Sequence, residues 1–422
     1  MNNVSGINLI LKTSGEVFYY TWWILLPIMF YFIFQILWKD FVAAYSPNSW
    51  HLSQKWTYLE LVPPRDIERG PKIMENIFSG ITGVLTSYNT FGEYIEGAFW
   101  HDRFSLELVG DQGKVHFYIR VQKKYKKLIE AQVYAQYPDA EILEFPDYTQ
   151  GFPKIIPNKF WDLWGTDFEF VAEEAIPIKT YDKFEESVTG EMIDPIAAFL
   201  EVLGTLEPGQ HAWLQYIIQP LPEPANKKYE PVVKRLKEGE TAKSRSILGD
   251  LADVFTNIFN GMFSKVEFNE DEDNDESQPL EFRLSPIEKE RLKITEEKVG
   301  QNLFSTKMRL VYLGRRENFD RVNVSAIIGA VKQFNDLNMN QVKPEETTKT
   351  YGKIFLAEPR ANFRKRKIYN RYINRSMDGP KVVFSVKELA TLFHFPDINV
   401  KSPSIRKVES KLGAAPSNLP IK

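Results

Sequence analysis

The first pattern along the chain is an uncharged run. Residues 17–38 read VFYYTWWILLPIMFYFIFQILW, 22 positions without Asp, Glu, Lys or Arg. At about 1.5 Å per residue such a helix measures roughly 33 Å, enough for a hydrocarbon core of about 30 Å. Trp22 and Trp23 near one end and Trp38 at the other match interfacial aromatics. Pro27 lies inside the run, where membrane helices tolerate a kink. The run is too long and too aromatic for a signal peptide, and Lys39-Asp40 precede the small residues Val42-Ala43-Ala44. These residues predict a transmembrane helix over 17–38 after a short tail, 1–16. No second apolar run of this length occurs, so the expectation is a single-pass protein with the lipid bilayer as a partner. Lys39, Lys55, Arg65 and Arg69 follow the run and only Lys12 precedes it, which puts the long C-terminal body on the cytoplasmic side of the inner membrane.

Beyond the run the period switches between 2 and 3.6. WTYLELV (56–62) is a short apolar and aromatic strand. From Pro71, the residues Ile73, Met74, Ile77, Phe78 and Ile81 recur on one helical face. Phe104, Leu106 and Leu108 then alternate with polar residues, as do Val115, Phe117, Ile119 and Val121, with Gly110 and Gly113 around the turn of a hairpin. A second helix carries Tyr125, Leu128, Ile129, Val133 and Tyr137, and AEILEF (140–145) closes the series as a strand. This β-α-β-β-α-β order is the ferredoxin-like split motif, here over 55–150. The order recurs over 165–395: a strand over 168–180, a helix from Asp194-Pro195, a strand over 211–219, a strand over 303–313, a helix over 320–337, and a closing strand at 353–357 or 381–386. AQVYAQYPDAEI echoes GAVKQFNDLNMNQV at corresponding places, a sign of duplication. The fold class predicted is therefore α+β: one N-terminal transmembrane helix, then two ferredoxin-like halves.

The second half carries an insertion over 225–300. Its first part, 227–240, is charged and helical. Its middle places Leu251, Phe255, Ile258, Phe259 and Met262 on one helical face. The opposite face is not basic, so a partner groove or the protein's own core suits it better than an anionic bilayer. Residues 267–281 then hold eight acids and no base. Their alternating Asp residues lack the Gly and the final Glu of a calcium loop, so they read as a disordered linker.

Composition adds mainly exclusions. Cysteine is absent, which removes disulfides, thiolate metal ligation and thiol catalysis. No phosphate-cradling, dinucleotide-binding, nucleophile-elbow or paired-histidine metal motif occurs. Catalytic, cofactor and metal residues are accordingly expected to be none, and His394 in LFHFP reads as a packed histidine. The net charge of −3 hides an asymmetry: residues 360–422 hold fourteen Lys/Arg against four Asp/Glu. Within them RANFRKRKIYNRYINR (360–375) interleaves bases with Phe363, Tyr369 and Tyr372. Arg364, Lys365, Arg366, Lys367, Arg371 and Arg375 are thus candidates for contacting a polyanion such as nucleic acid.

The order of parts carries a resemblance. Arg65, Asp66, Glu68, Pro71, Met74 and Glu75 at a helix start, the HFYIR strand, the AQYPDAE turn and ELATLFHFP follow one another over nearly the whole chain. This resembles the membrane-anchored N-terminal region of type IV secretion and conjugation-type motor ATPases, in a bacterial family where that region precedes a hexameric HerA-like motor. The resemblance implies a membrane-tethered, non-catalytic adaptor whose partner is a separate motor ATPase or secretion-complex subunit, with self-association as a further expectation. It also makes 396–422 a linker leading toward a motor that this chain does not contain.

Overall fold

Strand runs with one apolar face need a partner layer, and runs apolar on both faces need two. Both cases occur in one sheet. The computed structural model describes residues 19, 22–23, 26–34, 37, 54–64, 67, 70–85, 102–184, 193–222, 225–238, 284–351, 356–398, 400 and 405–408. Residues 1–55 with 87–101 form one unit, and 56–86 with 102–422 form the other. In the first unit, Trp22, Trp23 and residues 26–34, Pro27 among them, are helical, and both tryptophans are exposed. Trp38 lies outside the described residues, and no helix among those described is long and apolar enough to cross a membrane.

The second unit is α+β, built on an antiparallel sheet of nine strands. Its first six elements are β1 (Trp56–Val62), α1 (Gly70–Ile81), β2 (Phe104–Asp111), β3 (Lys114–Gln122), α2 (Lys126–Gln136) and β4 (Glu141–Phe145). Next come β5 (Trp161–Phe170), α3 (Ala197–Gly204), β6 (Gln210–Pro220), α4 (Glu230–Glu238) and α5 (Pro286–Val299). They are followed by β7 (Leu303–Arg315), α6 (Arg321–Lys332), β8 (Val342–Pro344), α7 (Ala357–Ile373), β9 (Val382–Ser385) and α8 (Val386–Leu392). The strand order is β4-β1-β3-β2-β6-β7-β5-β8, with β9 pairing β7. Read outward from the β2–β6 contact, the two halves have the same β-α-β-β-α-β sequence and the same neighbours. β2 and β6, the second strand of each half, meet edge to edge with Leu106 opposite Tyr216. The two edges thereby satisfy each other's backbone groups.

Three expected boundaries change. The first strand of the second half is Trp161–Phe170 rather than 168–180. After Phe170 the chain turns away: Val171 N–H goes to Gln341, and Ile178 N–H goes to the Glu388 side chain instead of a ladder. The strand that pairs with β5 at the end of the second half is β8; of the two stretches expected to close it, 353–357 falls mostly outside the described residues. Residues 382–385 do form a strand, yet it pairs with the start of β7. Residues 396–422 are also not free from their first residue. Asp397 N–H donates to Asp194 at 2.8 Å, Ile398 N–H to Ile67 O at 2.9 Å and Val408 N–H to Pro63 O at 3.1 Å. Ile405 bridges Val115 in parallel.

One sheet face carries the main core. Leu59, Leu106, Phe117, Leu214, Met308 and Leu310 are buried there with α1, α3, α6 and α8 in a single cluster spanning both halves. The pieces that carried the family resemblance converge in it. Phe395 lies 5.5 Å from Phe117 and 4.9 Å from Tyr137, and the Tyr137 hydroxyl donates to Gly70 O at 3.0 Å. A Cβ on Gly70 would stand 2.3 Å from Phe395 O, so only glycine permits this approach. The described parts of these motifs therefore pack the core, and Arg65, Asp66 and Glu68 lie outside the described residues. His394, buried at 0% exposure, joins them, with Nδ1 at 2.8 Å from Ala390 O and Nε2 at 3.0 Å from Asp194.

Candidate functional site

The other sheet face is half apolar and half charged. α7 covers the apolar half, with Ile368, Tyr369 and Tyr372 packed on Leu163, Trp213, Val311 and Leu313. Their spacing in α7 follows the 3.6 period, so the inner face of this basic helix is a core face. Beside it the strand register lines up one polar residue per strand. Glu60 stands opposite Tyr118, Tyr118 opposite Glu107, Glu107 opposite Gln215, Gln215 opposite Arg309, and Arg309 opposite Asp167.

Each buried charge in this row has a partner. Arg375 reaches Glu107 at 3.0 and 3.2 Å and Asp147 at 2.8 and 3.0 Å. Ser105 and the Tyr148 hydroxyl also donate to Glu107, at 2.6 and 2.7 Å. Burial alone would raise the Glu107 carboxyl, but the Arg375 charge and these hydrogen bonds overcome it and hold the group below its ordinary range. Asp147 is held low by the same guanidinium against the same burial penalty. At the far end Asp167 accepts from Arg309 at 2.8 Å and lies 2.7 Å from Lys307. Arg309 also donates to Gln215 and to the carbonyls of Arg371 and Ser376, which tie the end of α7 to the sheet. Burial, with Arg309 and Arg371 nearby, pulls the Lys307 ammonium down to about 8 despite Asp167. The row thus fixes α7 in place with paired charges.

This arrangement sorts the basic residues expected to contact a polyanion. Arg375 is buried and committed to Glu107 and Asp147, so it is an internal tie and not a surface contact. Lys365 pairs with Asp162 at 2.5 Å. Arg364 donates from Nη1 to the carbonyls of Lys349 and Tyr351 at 3.1 and 3.0 Å. Arg371 is half-buried, 3.6 Å from Asp167. Arg360, Arg366 and Lys367 face solvent, with Phe363 67% exposed among them. Leu251, Phe255, Ile258, Phe259 and Met262 lie outside the described residues, as does the acidic run 267–281. Glu107, Arg309, Asp167 and Lys307 were not visible as a group in the sequence. Each sits in a strand among apolar residues, as a solvent-facing position would, and only the register brings them together.

An open cleft of about 100 Å³ lies where α7 crosses the end of this row. Arg364, Lys367 and Arg371 line it from α7, at positions i, i+3 and i+7 of one helical face. Thr347 and Thr348 form one wall and Gly379 and Pro380 another. The threonine hydroxyls are occupied: Thr347 donates to the Glu345 carboxylate, and Thr348 donates to the Glu345 carbonyl at 3.2 Å. Gly379 sits at φ +95, and a Cβ there would meet Lys307 Nζ at 2.8 Å and Asp167 Oδ2 at 3.0 Å. Among the described residues no group of three or more His, Asp or Glu is placed to hold a metal ion.

Comparison with known proteins gives one family. The family model described as a domain of unknown function, DUF8128, matches residues 49–408. Its last matched residue is the one whose N–H is tied to Pro63. No curated protein matches the chain.

Proposed function

The chain belongs to the DUF8128 family, and for it we propose a non-catalytic adaptor that stands between a membrane and a separate motor ATPase of the type IV secretion or conjugation kind. In this reading residues 17–38 are the single membrane span and residues 56–408 the cytoplasmic body, two ferredoxin-like halves on one sheet. The resemblance of ELATLFHFP and its companion motifs to the N-terminal region of such motors supports the choice of partner. One structural observation carries the reading. The chain enters the sheet at Trp56, at the start of β1, and its last described segment is bonded beside Pro63, just past the other end of that strand. At roughly 3.3 Å per residue the two places are about 20 Å apart. A body that takes in the chain at one end and fixes the outgoing segment at the other suits a spacer.

The experiment is extraction from membranes in mild detergent followed by affinity purification of the full chain. A Walker-type ATPase recovered in fixed proportion supports the adaptor. A clean preparation with no ATPase, from cells that express one of the expected kind, counts against it. Release of the protein from membranes by high salt alone would remove the tether.

A second reading has its own observation. Arg360, Phe363, Arg366 and Lys367 present charge and an aromatic ring outward on α7, a pattern that suits nucleic acid. It predicts DNA binding that falls steeply with salt and is lost when these three bases are neutralised.

A further inference from the structure

We propose that the cleft between α7 and the 379–380 turn binds one phosphate group, held by Arg364, Lys367 and Arg371. The inference is independent of the adaptor reading. Three cationic side chains converge on a space of about 100 Å³, which suits a single compact anion and not a strand of nucleic acid. Arginines grip phosphate through parallel N–H donors, and a lysine adds a point charge.

The two arginines are already oriented. Arg364 is fixed by its two Nη1 hydrogen bonds to backbone carbonyls, which leaves the rest of its guanidinium to a ligand. Arg371 is held beside Asp167. Such preorganisation lowers the ordering cost of binding. Behind them the charges are paired. Asp167 is buried behind the cleft, and Lys307 and Arg309 both contact it. Glu345 behind the threonine wall is spent on the N–H groups of Thr347 and Thr348. Arg364, Lys367 and Arg371 thus line the cleft with no carboxylate among its lining residues. Gly379 lets the turn lie close over Lys307 and Asp167, because a Cβ there would stand 2.8 and 3.0 Å from them.

The test titrates inorganic phosphate into the full-length protein in detergent, followed by calorimetry at constant ionic strength with chloride as the reference. Saturable binding is expected. Lys367→Gln should weaken it about tenfold, the loss of one charge-assisted contact. Arg366→Gln, on the same helix outside the cleft, should leave it unchanged. Thermal melting of both variants at the parent temperature confirms that they fold. Competition by glycerol 3-phosphate at similar concentration would assign the source as an organic phosphomonoester, and failure to compete would assign it as free phosphate. No saturable binding, or equal weakening by Arg366→Gln, would overturn the cleft and leave only a diffusely basic helix.

Discussion

Arg375 shows how far a residue's role depends on where the chain puts it. In the sequence it closes a run of seven bases, and every neighbour suggests a surface. In the fold it is 3% exposed and holds two carboxylates from elements more than 200 residues away. Breaking a buried pair by removing one partner leaves the other charge stranded. Arg375→Met should therefore cost about 3–5 kcal/mol at neutral pH, measured by urea unfolding. The pH dependence follows from the carboxylates. Glu107 and Asp147 have folded affinities for protons below their ordinary values. Their contribution to stability is present above the unfolded value of about 4 and is lost as pH falls through the lower folded values. The gap between the parent and Arg375→Met should narrow as pH falls below about 4, since protonation removes the charges that Arg375 offsets. A gap that stays constant would mean that Arg375 stabilises by packing alone. None of this was legible beforehand. Glu107 and Arg309 each alternate with apolar residues, as solvent-facing strand positions do, and only the cross-strand register brings them into one row.

Elements were more legible where they were long and strongly periodic. WTYLELV, the 104–122 hairpin and the helices near 71–81 and 126–136 declared themselves, because one apolar face against a polar one fixes both type and period. β8 did not. It is three residues long, ends in proline and lies at a sheet edge, so it has almost no pattern to read. Helix α7 was legible as a basic stretch and illegible as a core helix, because its inner stripe mixes Ile368, Tyr369 and Tyr372 with paired bases. The cap of α8 was readable from S-x-x-E alone. Ser385 accepts from Glu388 N–H at 3.3 Å, and Glu388 accepts from Ser385 N–H at 2.8 Å. Its wider connections were not readable: Glu388 also accepts from Ile178 N–H at 2.9 Å and pairs with the buried Lys298 at 3.0 Å. Two substitutions separate these roles. Ser385→Ala removes the cap and should cost about 1 kcal/mol. Glu388→Leu strands the Lys298 ammonium as well and should cost about 3–5 kcal/mol. Denaturant midpoints of the two variants check the order, and equal losses would show that the Lys298 pair contributes nothing.

At the scale of the molecule, duplication and fusion make opposite demands. Two copies of a β-α-β-β-α-β module imply two units that fold separately, and the sequence suggested such halves. The sheet joins them instead. β2 and β6 pair along eight residues, from Phe104 opposite Ile218 to Asp111 opposite His211. The main core crosses the same line, with Leu106, Leu108, Leu214 and Tyr216 in one cluster. Parting the halves would strip this seam of hydrogen bonds and bare two apolar edges, each an invitation to aggregate. The end of the second half reinforces the join. α8 and the segment behind it pack on the first half, through Phe395 on Phe117 and Val408 on Pro63. A structure whose last elements cap its first ones has no cheap partly unfolded state. Residues 56–408 should therefore melt in a single transition, with calorimetric and van't Hoff enthalpies that agree. Tyr216→Ala, at the seam, should lower that one transition by about 3–5 kcal/mol without splitting it. Two resolved transitions in either protein would restore the independent halves. One transition would mean that the β2–β6 seam couples the two halves into a single cooperative unit.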